Sequence, residues 1–158
     1  MAAAIAVVAF SIGSPLATPS SGVTAEAVRG PITKNLNIDT TYSNHSRLKL
    51  KTSGHAEFIV QRIEATPGAT FGWHNHPAES IAIVKQGVLT LYHDEHCNVG
   101  TDYGPGGVFT TSPSEIHLAK NLSSTETLVL FAVYIGPKTS PDTPIRVDQP
   151  LPAPGCPQ

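Results

Sequence analysis

Charge is scarce in this chain of 158 residues: 14% are Asp, Glu, Lys or Arg, ten basic and twelve acidic, for a formal net charge of −2. Neither sign forms a long run, so the basic footprint of a nucleic-acid binder is missing and phosphate-rich partners are disfavoured. A long apolar run is missing too. Residues 2–10, AAAIAVVAF, fall well short of the roughly twenty apolar residues that span a bilayer as a helix. That argues against a permanent membrane anchor, and no cysteine follows the run to carry a lipid. Only two cysteines are present, Cys97 and Cys156, so at most one intrachain disulfide can form. No internal repeat or heptad pattern emerges, and the length suits one ordinary domain with its own core.

What the chain does have is turn formers and β formers. Fourteen prolines and thirteen glycines, among runs rich in Val, Ile, Thr and Phe, favour short strands over long helices and predict an all-β protein. The apolar run at the start has the length of a signal-peptide core and passes through small residues toward Ala25-Glu26-Ala27. It is read as a signal peptide over 1–27, and hence as export. Residues 18–31 lack apolar periodicity and are expected to be a loosely docked arm. Strands are expected in 35–38, 47–50 and 55–65, with a turn at Thr66-Pro67-Gly68. Further strands are expected at 70–76, 80–85 and 88–93, with a hairpin at Gly87. Residues 93–107 read as a polar surface loop, and 108–111, 116–120 and 126–135 as strands, the last buried on both faces. The division is therefore a leader over 1–27, a barrel over 28–136 and a proline-rich extended tail over 137–158.

Two histidines one residue apart, His74 and His76, stand in PGATFGWHNHPAESIAIVKQG. In an extended segment the period of two puts both imidazoles on one face. Such a strand can aim two ligands at one ion when a third comes from elsewhere, and imidazole suits zinc, iron, copper and nickel.

The framing carries a resemblance. Gly68, five residues, His74, one residue, His76 and then Gly87 resembles the first motif of the cupin superfamily. Gly107, five residues, Pro113, then His117, three residues and Asn121 resembles the second. The resemblance implies a double-stranded β-helix, a jelly-roll-like barrel, in a small single-domain bacterial cupin. It also implies one divalent transition metal (Fe, Mn, Ni or Zn) held inside by His74, His76 and His117. Two departures stand out. Ser80 occupies the position at which the family usually has a ligand glutamate, while Glu79 lies one place earlier. Glu115 stands where a glycine is usual, with one residue fewer before His117. In the family register Ser80 points inward and Glu79 outward; a slip of one residue reverses every side chain.

Other groups read more plainly. His93, His96 and Cys97 lie in a polar stretch beside Asp94 and Glu95, and Trp73 reads as barrel wall. Asn44-His45-Ser46 and Asn121-Leu122-Ser123 match a glycosylation acceptor pattern that recurs by chance. No catalytic acid or base can be named. Three classes of function remain: a metal-dependent small-molecule enzyme of oxygenase type, a module that binds a small molecule without turnover, and a metal-free structural barrel. Export predicts a Cys97–Cys156 disulfide. The strands near residues 32–50 predict a homodimer that covers sheet edges.

Overall fold

The computed structural model describes residues 17–139 and 141–158. Among them the chain is all-β: eleven strands and one short 3-10 turn at Asp94–His96. A separate hairpin is made of β2 (Asn37–Thr41) and β3 (Arg47–Lys51). The remaining nine strands form one sheet built around the long β4 (Ala56–Asn75). On one side β4 leads through β9 (His117–Lys120) and β6 (Leu89–His93) to the edge strand β7 (Gly100–Tyr103). On the other it leads through β10 (Leu128–Pro137) and β5 (Glu79–Gln86) to the edge strand β8 (Val108–Thr111). Both β1 (Ser21–Ile32) and β11 (Val147–Asp148) also pair with β4. The sheet curls into the jelly-roll-like barrel that the sequence implies. Its two edges meet where the Tyr103 and Phe109 rings lie 5.0 Å apart, centroid to centroid.

Alternation decides what faces in. Ser80, Ala82 and Val84 of β5 are buried while Glu79, Ile81 and Ile83 are exposed. Leu128, Leu130, Ala132 and Tyr134 of β10 join Ile59, Ile63, Leu89 and Leu91 in the core. Each such Leu or Ile contributes about 1.5–3 kcal/mol by leaving water. Gly87 makes the β5–β6 turn with φ of 76°, and a Cβ there would come within 3.0 Å of the Leu128 backbone.

Several expectations are corrected. Residues 18–31 are not a loose arm, for Ser21–Ile32 is β1, hydrogen-bonded along β4 from Thr70 to Ala56. It escaped notice because most of its side chains are exposed and carry no core periodicity. Residues 1–16 of the expected leader lie outside the described residues, and the division at residue 27 falls within β1. Thr66-Pro67-Gly68 bends a single strand and does not end it. Before the bend β4 pairs with β10, and after it with β9 and β11. Pro67 has no N–H to lose there, and the buried Asn121 amide donates to the carbonyls of Ala65 and Thr66. The stretch 93–107 holds the 3-10 turn and β7. β10 is covered on one face only; Phe131, Val133 and Ile135 on the other are half-buried.

The tail also does more than run over the surface. β11 pairs with Asn75 and His74, Gln149 N–H donates to the Trp73 carbonyl at 2.8 Å, and Arg146 Nη2 donates to the Phe71 carbonyl at 2.8 Å.

Candidate metal centre

His74 lies on β4 opposite His117, the first residue of β9, and His76 follows one residue beyond the end of β4. The strand period turns His74 toward the barrel interior while Trp73 turns the other way. All three histidines are buried. Ring centroids are 4.4 Å apart for His74 and His117, 5.0 Å for His74 and His76, and 5.2 Å for His76 and His117. One ligand atom from each lies within 4.8 Å of the others.

Each ring is oriented by the main chain. Nδ1–H of His74 donates to the Gly72 carbonyl at 2.8 Å, that of His76 to Ile145 at 2.7 Å, and that of His117 to Glu115 at 3.0 Å. These bonds place the proton on Nδ1 and leave the Nε2 lone pair free, the arrangement metal-binding imidazoles use. Gly72 serves this geometry directly: its φ is 67°, and a Cβ would collide with the Thr18 carbonyl oxygen at 2.1 Å. Burial holds the rings neutral. It lowers His76, lowers His74 well below the ordinary histidine value, aided by the neighbouring His117, and pushes His117 down to about 3, aided by His76. Neutral nitrogen donors converging on one point suit a first-row transition ion, so the residues fit the metal that the fold implies.

The histidines line a cavity of about 200 Å³. Its walls are mainly apolar, among them Phe71, Leu91, Phe109 and Leu130. Ser80 points inward and hydrogen-bonds Thr111 across the β5–β8 pair at 2.6 Å, whereas Glu79 is exposed. The register is thus the one in which no glutamate reaches the histidines. Three polar neighbours that sequence reasoning left unassigned also line the cavity. Tyr134 has its ring 5.0 Å from that of His76 and donates its hydroxyl to Gln61 at 3.1 Å. Burial raises the Tyr134 pKa, which keeps the phenol protonated. Arg146 comes from the tail. Its one sequence signal is the alternation Ile145-Arg146-Val147-Asp148, a strand pattern among prolines.

The remaining candidates fall elsewhere. His93 pairs with Glu115 at 2.9 Å and Cys97 is bonded to Cys156, so the H-x-x-H-C stretch forms no metal cluster; among the described residues the three-histidine group alone does. The disulfide joins the predicted pair, with Cα atoms 5.3 Å apart. Trp73 is wholly buried outside the cavity, against Cys97, Cys156 and Leu118, with its indole N–H on the Pro157 carbonyl at 2.8 Å. Asn121 is wholly buried and donates to three carbonyls, which removes it as a glycan acceptor.

Fold and cluster together define a jelly-roll-like barrel with an internal three-histidine site. Residues 61–134 match the sequence model of the cupin domain, and this stretch is a cupin domain. Similar solved structures include the polyketide cyclase RemF from Streptomyces resistomycificus, at 19% identity over 58% of this chain and 59% of that one, TM-score 0.48. An oxalate oxidase in complex with the substrate analogue glycolate is 22% identical over 57% of this chain and 45% of that one, TM-score 0.46. A sugar phosphate isomerase from Silicibacter pomeroyi is 21% identical over 49% and 50%, TM-score 0.42. The chain spans less than two thirds of each, and likeness at this level says nothing of its chemistry. No curated protein matches the sequence.

Proposed function

We propose that this cupin binds one first-row divalent ion (iron, manganese, nickel or zinc) through His74, His76 and His117, and that a small molecule binds beside it in the barrel cavity. The observation that carries the reading is the set of three Nδ1–H bonds to main-chain carbonyls, which leaves three neutral Nε2 atoms free in one buried cluster. The ion when bound supplies Lewis-acid or redox chemistry at its open positions. Among the described residues the walls supply no carboxylate for acid–base work, and Tyr134 keeps its proton. An oxygenase-type reaction that relies on the ion therefore fits the cavity better than acid–base catalysis. The same lack of a general base supports the second reading, a module that holds its ligand without turnover.

Metal analysis of protein purified without chelator and offered each ion is expected to give one ion per chain. His117→Ala should lose that ion with the barrel still folded, because apolar strands hold the barrel. Retention of none by the wild type, or of as much by His117→Ala, would refute the reading.

We further propose export and self-association. The Cys97–Cys156 bond suits an oxidising compartment, and a leader cleaved upstream of Ser21 would leave β1 intact; N-terminal sequencing of exported protein tests this. The dimer reading rests on an apolar outer face. Val28, Val60, Val133 and Ile81 form one cross-strand row, and Phe131, Ile83 and Val108 form another. The β2–β3 hairpin has a matching unburied side, Ile38 opposite Leu50 and Thr40 opposite Leu48. A two-stranded hairpin is marginal alone in water, and a second copy supplies what each surface needs: the hairpin of one chain against the outer face of the other.

A further inference from the structure

The cavity has an unbalanced charge once the proposed ion is in place, and the rest of the lining does not correct it. Three neutral imidazoles leave the ion's two positive charges uncompensated. Among the described residues no Asp or Glu lines the cavity. The position that would bring a carboxylate inward is Ser80, whose hydroxyl is already engaged with Thr111. Among the described residues the one charged side chain in the lining is a cation, Arg146. Its Nε and Nη2 donate to the Asp148 carboxylate, which forms a salt bridge with it, and Nη2 also donates to the Phe71 carbonyl of β4, so tail and barrel together fix the guanidinium in place. Nη1 has no hydrogen-bond partner among the described residues. Arg146 is partly exposed and already paired with Asp148, so the charge left unpaired in this mainly apolar surround is that of the proposed ion, and an unpaired charge there is costly.

Resting on the metal reading above, we propose that the ligand of this cavity is a small organic anion with a carboxylate head and an apolar body. The carboxylate would supply the negative charge that the chain withholds, with the ion and Arg146 as its two cationic neighbours. The body would lie against walls such as Phe71, Leu91 and Phe109. Tyr134 and Gln61 add polar groups without net charge. The size follows from the cavity, whose volume of about 200 Å³ is below the roughly 300–1,000 Å³ of sites for drug-sized ligands.

The test uses the full chain loaded with Co²⁺, whose visible absorption reports its ligands. Azide, acetate and benzoate are titrated against acetamide and benzamide near neutral pH at fixed ionic strength. Carboxylates and azide should change the cobalt spectrum, and each carboxylate should bind at least about tenfold more tightly than its amide, a difference of about 1.4 kcal/mol. Arg146→Gln should weaken the carboxylates about tenfold and leave the amides unchanged, with Arg146→Lys restoring most of the loss. Co²⁺ bound stoichiometrically with no response to any anion, or with amides equal to carboxylates, overturns the anion proposal and leaves the metal reading standing. Failure to bind Co²⁺ at all overturns the metal reading and the proposal with it. The carboxylate and amide comparison is made on wild-type protein, so it stands even where an Arg146 variant fails to fold.

Discussion

At the scale of single residues, the site is three imidazoles whose protons the main chain has already placed. Their neutrality has a consequence for the metal-free protein. An unfolded histidine takes up a proton near pH 6.5, whereas His117 in the fold resists to about 3 and His74 and His76 are also lowered. Below pH 6.5 the unfolded chain therefore binds more protons than the folded one, and stability falls as pH falls toward 3; above 6.5 these groups contribute no slope. His117, neutral across that window, costs about 1.4 kcal/mol per pH unit there, and His74 and His76 steepen the slope in the same direction. Calorimetry of chelated protein should show Tm dropping below pH 6.5, with a shallower slope in His117→Ala. Ser80→Glu tests the inward register. A carboxylate there should lower the stability of the metal-free protein, because it lies buried and unpaired, and should tighten metal binding, as calorimetric titration would show. No change in either would mean the side chain escapes outward. Alternation alone left Glu79 and Ser80 open, since either phase of Ser80 to Lys85 puts an apolar face inside. The short hydrogen bond from Ser80 to Thr111 is what decides it.

At the scale of elements, His74 and His76 are legible as a local strand pattern with both ligands on one face, and His117 through the resemblance of its motif to that of the cupin superfamily. What escaped the sequence depends on contacts across long separations. The bend in β4 looks like a turn until the Asn121 amide, more than fifty residues away, is seen feeding its carbonyls. The tail looks like surface because proline forbids a central strand, yet Ile145 orients His76 and Arg146 lines the cavity. The Cys97–Cys156 bond pins this tail across a separation of 59 residues, worth about 4 kcal/mol in the chain-entropy account. Replacing both cysteines by alanine should lower stability by an amount of that order in denaturant titration. It should also weaken metal binding, because the carbonyl that holds His76 is freed to move. Unchanged metal affinity would show that β11 and the Arg146 contacts hold the tail by themselves.

At the scale of the whole molecule, the barrel wall carries apolar rows on its outside across β1, β4, β10, β5 and β8. Continuous apolar outer rows of this kind are the surface that the proposed dimer would cover. Light scattering is expected to give twice the chain mass at micromolar concentration. Ile81→Lys, which places a charge at the β5 end of the Val28, Val60, Val133 and Ile81 row, should give a monomer with metal content unchanged. A wild-type monomer mass at every concentration would count against the pairing.

Trp73 is the sole tryptophan of the chain, and its position makes it an internal optical gauge. The indole is sealed from water beneath Pro157, touches the cluster that contains the disulfide, and is the neighbour in sequence of His74. Its emission should be blue and dim in the native protein, brighten when the neighbouring disulfide quencher is reduced, and shift red when the tail lifts away. A paramagnetic ion on His74 should dim it again. One fluorophore, placed by the fold and needing no label, thus distinguishes tail release from metal loading in a single cuvette.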